Sequence, residues 1–279
     1  MPKNVRSRIA VVAAAAAAIA VLGGGVLMFG LMADETRFPR SDPAFDALSA
    51  QVGSIPGVTD VQSERWVEAP LFVQPHASLS VTVSDDDLDE VWRLACASEY
   101  SDAVSWGFDV VTVADTRVSF AGEADDGCPD VGFDPAPVVT EIGRLAPGET
   151  VQAAIWDGAR LGISTIDGRE MADRLLPLVA GADALRTAAG VGPGTPVEVS
   201  GPQLGVVVGP GEAQRYHDLL ARLIDTYGAT ALFLGGGGTP IDGAEKVQLT
   251  APAEHHAAIE REIAASGLPI ADLPVAFLS

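Results

Sequence analysis

Residues Ile9 to Met32 run for 24 positions without a charge, directly after Lys3, Arg6 and Arg8. As a helix rising about 1.5 Å per residue the run reaches roughly 36 Å, enough to cross a ~30 Å hydrocarbon core with some tilt. Three positive charges precede it and no acid appears before Asp34. The basic tail 1–8 is therefore expected to stay in the cytoplasm and the chain past Met32 to be exported. The rival reading is a cleaved secretory signal cut after Gly25, with Gly23 and Gly25 at the small-residue positions. Against it stands the length of the span, because signal apolar regions usually run about 7 to 15 residues. No cysteine lies near the end of the span, which argues against a lipoprotein. The expected location is the cell membrane, single-pass, with the remainder of the chain extracytoplasmic.

About 245 residues follow this span, room for two or three small domains with a core. The whole chain carries a formal charge of −21, and its first 33 residues contribute +3, so the exported part carries −24. Such a surface repels phosphate backbones and anionic headgroups, which excludes nucleic acid as a partner and favours cations or basic partners. Solubility alone also explains an acidic exported domain. Cys96 and Cys128 are the two cysteines, and an even count in an oxidising compartment points to a disulfide between them. No Cys-x-x-Cys is present to favour a redox pair.

Periodicity divides the exported part into alternating elements. After a linker at 33–43, Phe45, Leu48 and Val52 recur at helical spacing behind Asp42 and Pro43. Ala77–Val83 alternates as a strand, and Ser84 with Asp87 reads as a capping box ahead of Leu88, Val91, Trp92 and Ala95. Asp157-Gly158 between Glu149–Trp156 and Arg160–Ile166 is the strongest hairpin signal. A helical stretch from Arg169 to about Ala189 contains Pro177, which is expected to kink or split it. Gln214–Tyr227 is the cleanest amphipathic helix, with Tyr216, Leu219, Leu220, Leu223 and Ile224 on its apolar side. Helix, strand, strand, helix, strand occurs three times, with the second helix of each unit starting near residues 85, 169 and 252, about 84 apart. The expected fold is α+β: an N-terminal transmembrane helix at 9–32, then tandem ferredoxin-like, split βαβ sandwiches. About three αββαβ units are assigned, at 44–121, at 122–208 with an acidic loop, and at 209–279.

Ile55-Pro56-Gly57-Val58 with Val61, after a helix and before a strand, resembles the lead-in to a strand of heavy-metal-associated and BON-type modules. The paired cysteines of the metal-associated family are absent, so no metal function carries over. The BON-type resemblance implies an adhesion or lipid-surface module and assigns no residue.

Candidate chemistry is thin. Gly235–Gly238 leads into Thr239-Pro240 and a strand, whereas a phosphate loop leads into Lys-Ser/Thr and a helix N-terminus. His256 and Glu260 share a helix face, two ligands where zinc wants three or four, and His76, His217 and His255 are not fixed near them. Glu123, Asp125, Asp126, Asp130 and Asp134 form an acidic loop without EF-hand spacing. Gly-x-Ser-x-Gly, Ser-x-x-Lys and His-Glu-x-x-His are all absent; Gly162–Ile166 is the nearest approach to an elbow and reads as strand. Trp66, Trp92, Trp106 and Trp156 are expected in the core, with Trp66 and Trp106 the alternatives as surface anchors. No residue is assigned to catalysis, to a cofactor or to a metal. The sequence therefore points to a non-catalytic envelope binding or scaffold protein with an envelope partner. A ligand or cation sensor, testable at Asp125, Asp126 and Asp130, and an unrecognised membrane-anchored enzyme using His217, His255 or His256 are the alternatives.

Overall fold

Asp42 accepts a hydrogen bond from the Ala44 amide at 2.8 Å and Pro43 supplies a preset φ, so a helix, α1 (Pro43–Gly53), starts where the capping signal lies. In the computed structural model, which describes residues 37–68, 75–125, 127–156, 159–165, 172–234 and 245–278, this helix leads into a single mixed sheet of twelve strands. Their ranges are β1 (Arg37–Pro39), β2 (Val58–Glu68), β3 (Pro75–Ser84), β4 (Val104–Val111), β5 (Arg117–Ala124) and β6 (Thr150–Trp156). They continue as β7 (Arg160–Thr165), β8 (Val197–Ser200), β9 (Leu204–Val208), β10 (Ala231–Leu234), β11 (Val247–Thr250) and β12 (Val275–Phe277). The remaining helices are α2 (Leu88–Cys96), α3 (Pro135–Leu145), α4 (Leu176–Ala180), α5 (Ala182–Ala188), α6 (Ala213–Tyr227) and α7 (His256–Ala264).

Spatial order in the sheet is chain order, β1 through β12. From β2 onward, antiparallel hairpins alternate with parallel crossovers: β2–β3, β4–β5, β6–β7, β8–β9 and β10–β11 are hairpins, and each next strand joins in parallel. This corrects the expected tandem ferredoxin-like sandwiches. A split βαβ unit inserts one strand between two others, whereas here every strand neighbours its sequence neighbour, and the repeating unit is a helix followed by a hairpin. Helices open these units at Pro43, Leu88, Pro135, Leu176, Ala213 and His256, 37 to 47 residues apart. The 84-residue spacing is thus two repeats. The transmembrane helix of the expected fold also has no counterpart: among the described residues no helix is long and apolar enough to cross a membrane. The stretch 9–32 lies outside the described residues.

One face of the sheet carries the helices. Val81, Phe108, Phe120, Val151, Ile163, Val199, Val206 and Leu232 lie on that face and share one continuous core with Val91, Ile142, Leu185, Leu220 and Ile259 of the helices. Trp92 of α2 packs on Phe108 at 5.3 Å, and Phe133, just before α3, meets Phe120 edge-on at 5.8 Å. Successive crossovers leave from strands of opposite direction and step the same way. Holding them on one face therefore makes neighbouring connections opposite in hand, a departure from the right-handed rule for single βαβ units.

Local chemistry accounts for the details. The helical stretch before β8 is interrupted at Gly181, while Pro177 sits in the first turn of α4, where its missing N–H costs nothing. Ser84 donates its hydroxyl hydrogen to Asp87 at 2.7 Å instead of capping α2, and Asp85–Asp87 form a 3₁₀ turn. β1, expected as linker, pairs antiparallel with β2 and is tied down by Arg65. Arg65 donates to the Arg40 carbonyl at 3.3 Å, to the Tyr100 hydroxyl at 2.8 Å and to Asp102 at 2.7 Å, and lies 3.5 Å from Asp42. The disulfide Cys96–Cys128 joins the end of α2 to the loop after β5.

Candidate binding face

The sheet face opposite the helices is built from the other half of each strand's alternation. Following the registers across neighbouring strands, one row of this face reads Asp60, Thr82, Asp109, Ser119, Gln152, Ser164, Ser200 and Gly205. The parallel row two residues along reads Gln62, Ser80, Gly107 and Ala121. β5 and β6 part after Ser119 and Gln152, and beyond that gap Ala154, Gly162 and Glu198 form a separate row on β6 to β8. The first row is polar and the second mostly small. Side by side they form a shallow trough running across the strands rather than along them.

A cavity of about 320 Å³ lies in this trough, lined by Asp60, Gln62, Ser80, Asp109, Ser119 and Gln152 among others. Its floor is bare at Gly107, where a Cβ would come within 2.8 Å of the Ser80 hydroxyl and turn that side chain aside. Gln62 donates its amide to Asp60 at 3.0 Å. Ser119 donates its hydroxyl to Asp109, whose other carboxylate oxygen is 3.8 Å from Arg117. Hydroxyls, carboxamides and carboxylates thus alternate along one wall.

Trp156 lies on the same face of β6, four residues beyond Gln152 of the cavity wall. A Cβ on Gly162 would lie within 2.5 Å of two indole carbons, so the ring rests against the bare backbone of β7 on the open face. Next to Gly162 on β8, Glu198 is 7% exposed. Burial pushes its carboxyl above the usual range, and Arg160, 3.1 Å from Oε2, opposes that shift. Among the described residues no hydrogen bond is aligned on that oxygen despite the ion contact. Two other hollows lie elsewhere: about 560 Å³ between α1 and α2, beside Ala44, Leu48 and Leu94, and about 350 Å³ around Tyr100, Asp102 and Asp125.

The residues singled out from the sequence do not converge. His76 stacks on Trp66 at 5.5 Å, His217 pairs with Asp218 at 3.1 Å, and His255 approaches the Tyr227 ring at 5.7 Å. His256 lies 3.1 Å from the Ala251 carbonyl and stacks on Phe277, a packing role. In the acidic loop Asp130 accepts from the Gly132 amide at 3.0 Å and its backbone bridges to Glu123, while Asp126 and Gly235–Gly238 lie outside the described residues. Among the described residues no group of three or more His, Cys, Asp or Glu gathers where it would hold a metal ion. Trp106 is buried at 2% exposure, so of the two proposed surface tryptophans only Trp66 remains on the open face. Sequence reasoning missed the trough because its floor is made of residues that carry no chemistry. Gly107 and Gly162 inside strands were the available signal, since strand glycines mark close approach of another group.

No family model matches the chain, and no curated protein does. A solved structure described as "Crystal structure of Sex pheromone staph-cAM373 precursor" is similar over 60% of this chain and 75% of that one, at 11% identity and a TM-score of 0.20. At that score the likeness carries no argument.

Proposed function

We propose that the chain is a non-catalytic extracytoplasmic binding protein, held at the cell membrane with its N-terminus in the cytoplasm, whose open sheet face docks another envelope component. The observation that carries this reading is the helix-free polar face with its trough. A sheet buried on both faces would show apolar residues on both halves of its alternation, and β3 instead alternates Leu79, Val81 and Val83 with Ser78, Ser80 and Thr82. The Cys96–Cys128 disulfide supports an oxidising compartment. The charge of −24 past residue 33 keeps such a domain soluble and away from anionic surfaces. The membrane location rests on the uncharged stretch 9–32 and its basic flank.

Crosslinking in intact cells with tagged full-length chain tests this. Ser80→Arg and Ala121→Arg place long side chains in the trough from exposed positions. Both variants are expected to melt with wild-type chain and to lose the crosslinked partner. Recovery of the same partner by both would remove the open face as the docking surface.

A further inference from the structure

Resting on the reading of the open face as the binding surface, we infer that the trough takes a neutral polysaccharide chain laid across the strands. Three features of the trough select this occupant. Its walls mix groups of both hydrogen-bonding senses: Gln62, Gln152, Ser80, Thr82 and Ser119 both donate and accept, and Asp60 and Asp109 accept. Sugar hydroxyls, each donor and acceptor at once, match such a mixture, whereas a basic side chain uses its acceptors alone and an anionic chain needs free cations. Arg117 and Arg160 stand on this face, and each already faces a carboxylate, Arg117 that of Asp109 at 3.8 Å and Arg160 that of Glu198 at 3.1 Å. An anionic glycan would also approach against the −24 charge of the chain past residue 33.

The direction of the trough is the second feature. Neighbouring strands repeat every ~4.8 Å, about the length of one pyranose unit, so a linear glycan crossing β2 to β7 meets a fresh set of wall groups at each strand. A lone monosaccharide would use one step of that repeat. The third feature is Trp156, which stands on the same face of β6 beyond the cavity, partly exposed and with its ring against Gly162 of β7. Aromatic rings whose polar edge stays wet serve as platforms for the C–H face of a ligand. A floor of Ser80, Gly107 and Ala121 lies under the cavity, and the polar row Asp109, Ser119, Gln152 and Ser164 carries the face on across β6 to β7, where the ring stands.

Binding of neutral hexasaccharides of differing linkage, of an oligouronate and of an oligolysine peptide to full-length chain in nanodiscs tests the inference by titration calorimetry. At least one neutral hexasaccharide is expected to bind, while its monosaccharide, the oligouronate and the peptide do not. Gln152→Ala, Gln62→Ala and Trp156→Ala are each expected to weaken binding by about tenfold, the loss of one or two hydrogen bonds or of one stacking contact. Binding of the peptide alone, of the oligouronate alone, or of no hexasaccharide overturns the inference, and so does a hexasaccharide that binds Ser80→Arg and wild-type chain equally. The docking reading fails separately, when Ser80→Arg and Ala121→Arg keep the cellular partner. Loss of that partner in those variants without any hexasaccharide binding removes the glycan and leaves the docking face.

Discussion

Glu198 shows how one side chain records the two characters of the open face, polar in kind yet covered at the middle of the sheet. Its carboxyl is pushed above the ordinary range chiefly by burial, against the pull of Arg160. A carboxyl whose folded-state pKa exceeds its unfolded value favours the fold below the unfolded value, and that advantage is lost as pH rises through the folded one. Glu198→Gln is therefore expected to melt above wild-type chain near pH ~7, with the two curves converging by about pH 3, well below the unfolded value, where the native side chain is protonated in both states. Thermal melts at several pH values read this out; a variant that melts lower at neutral pH would mean that the Arg160 ion pair outweighs the burial. At this scale the sequence was least informative. A single Glu in a short apolar strand and a Gly opposite a Trp carry no periodic signature, because their environment is set by strands that only the fold brings alongside.

At the scale of elements, much was legible. The signals for α1, β3, the β6–β7 hairpin and α6 act within a few residues, through a capping carboxylate, strict alternation, turn chemistry and a 3.6-residue apolar stripe. Strand partners were not legible. Alternation says which side of a strand is buried and nothing about which strand lies next to it, so the same order of elements suited both inserted and sequential pairing. The covalent connection between elements is the disulfide, spanning 32 residues from α2 to the loop after β5. Replacing both Cys96 and Cys128 by Ala is expected to cost roughly 3 to 4 kcal/mol if the chain-entropy account holds. Urea unfolding measures it. An unchanged midpoint would assign the anchoring of that loop to the Glu123–Asp130 bridge instead.

For the molecule as a whole, each helix-and-hairpin unit leans on the unit before it and the unit after it, the condition under which stability becomes a sum of unit and nearest-neighbour contributions. Amide exchange is then expected to be slowest in β6 to β9, flanked on both sides, and fastest in the three-residue edge strands β1 and β12. Uniform protection across all twelve strands would show a single cooperative block instead. Short edges of this kind also offer little backbone for unwanted strand addition. Since position along the chain and position in the sheet are the same coordinate, a nascent polypeptide can lay down its sheet in the order in which it is made. No strand has to wait for a partner still on the ribosome, and the least protected moment falls at the growing edge, one hairpin at a time.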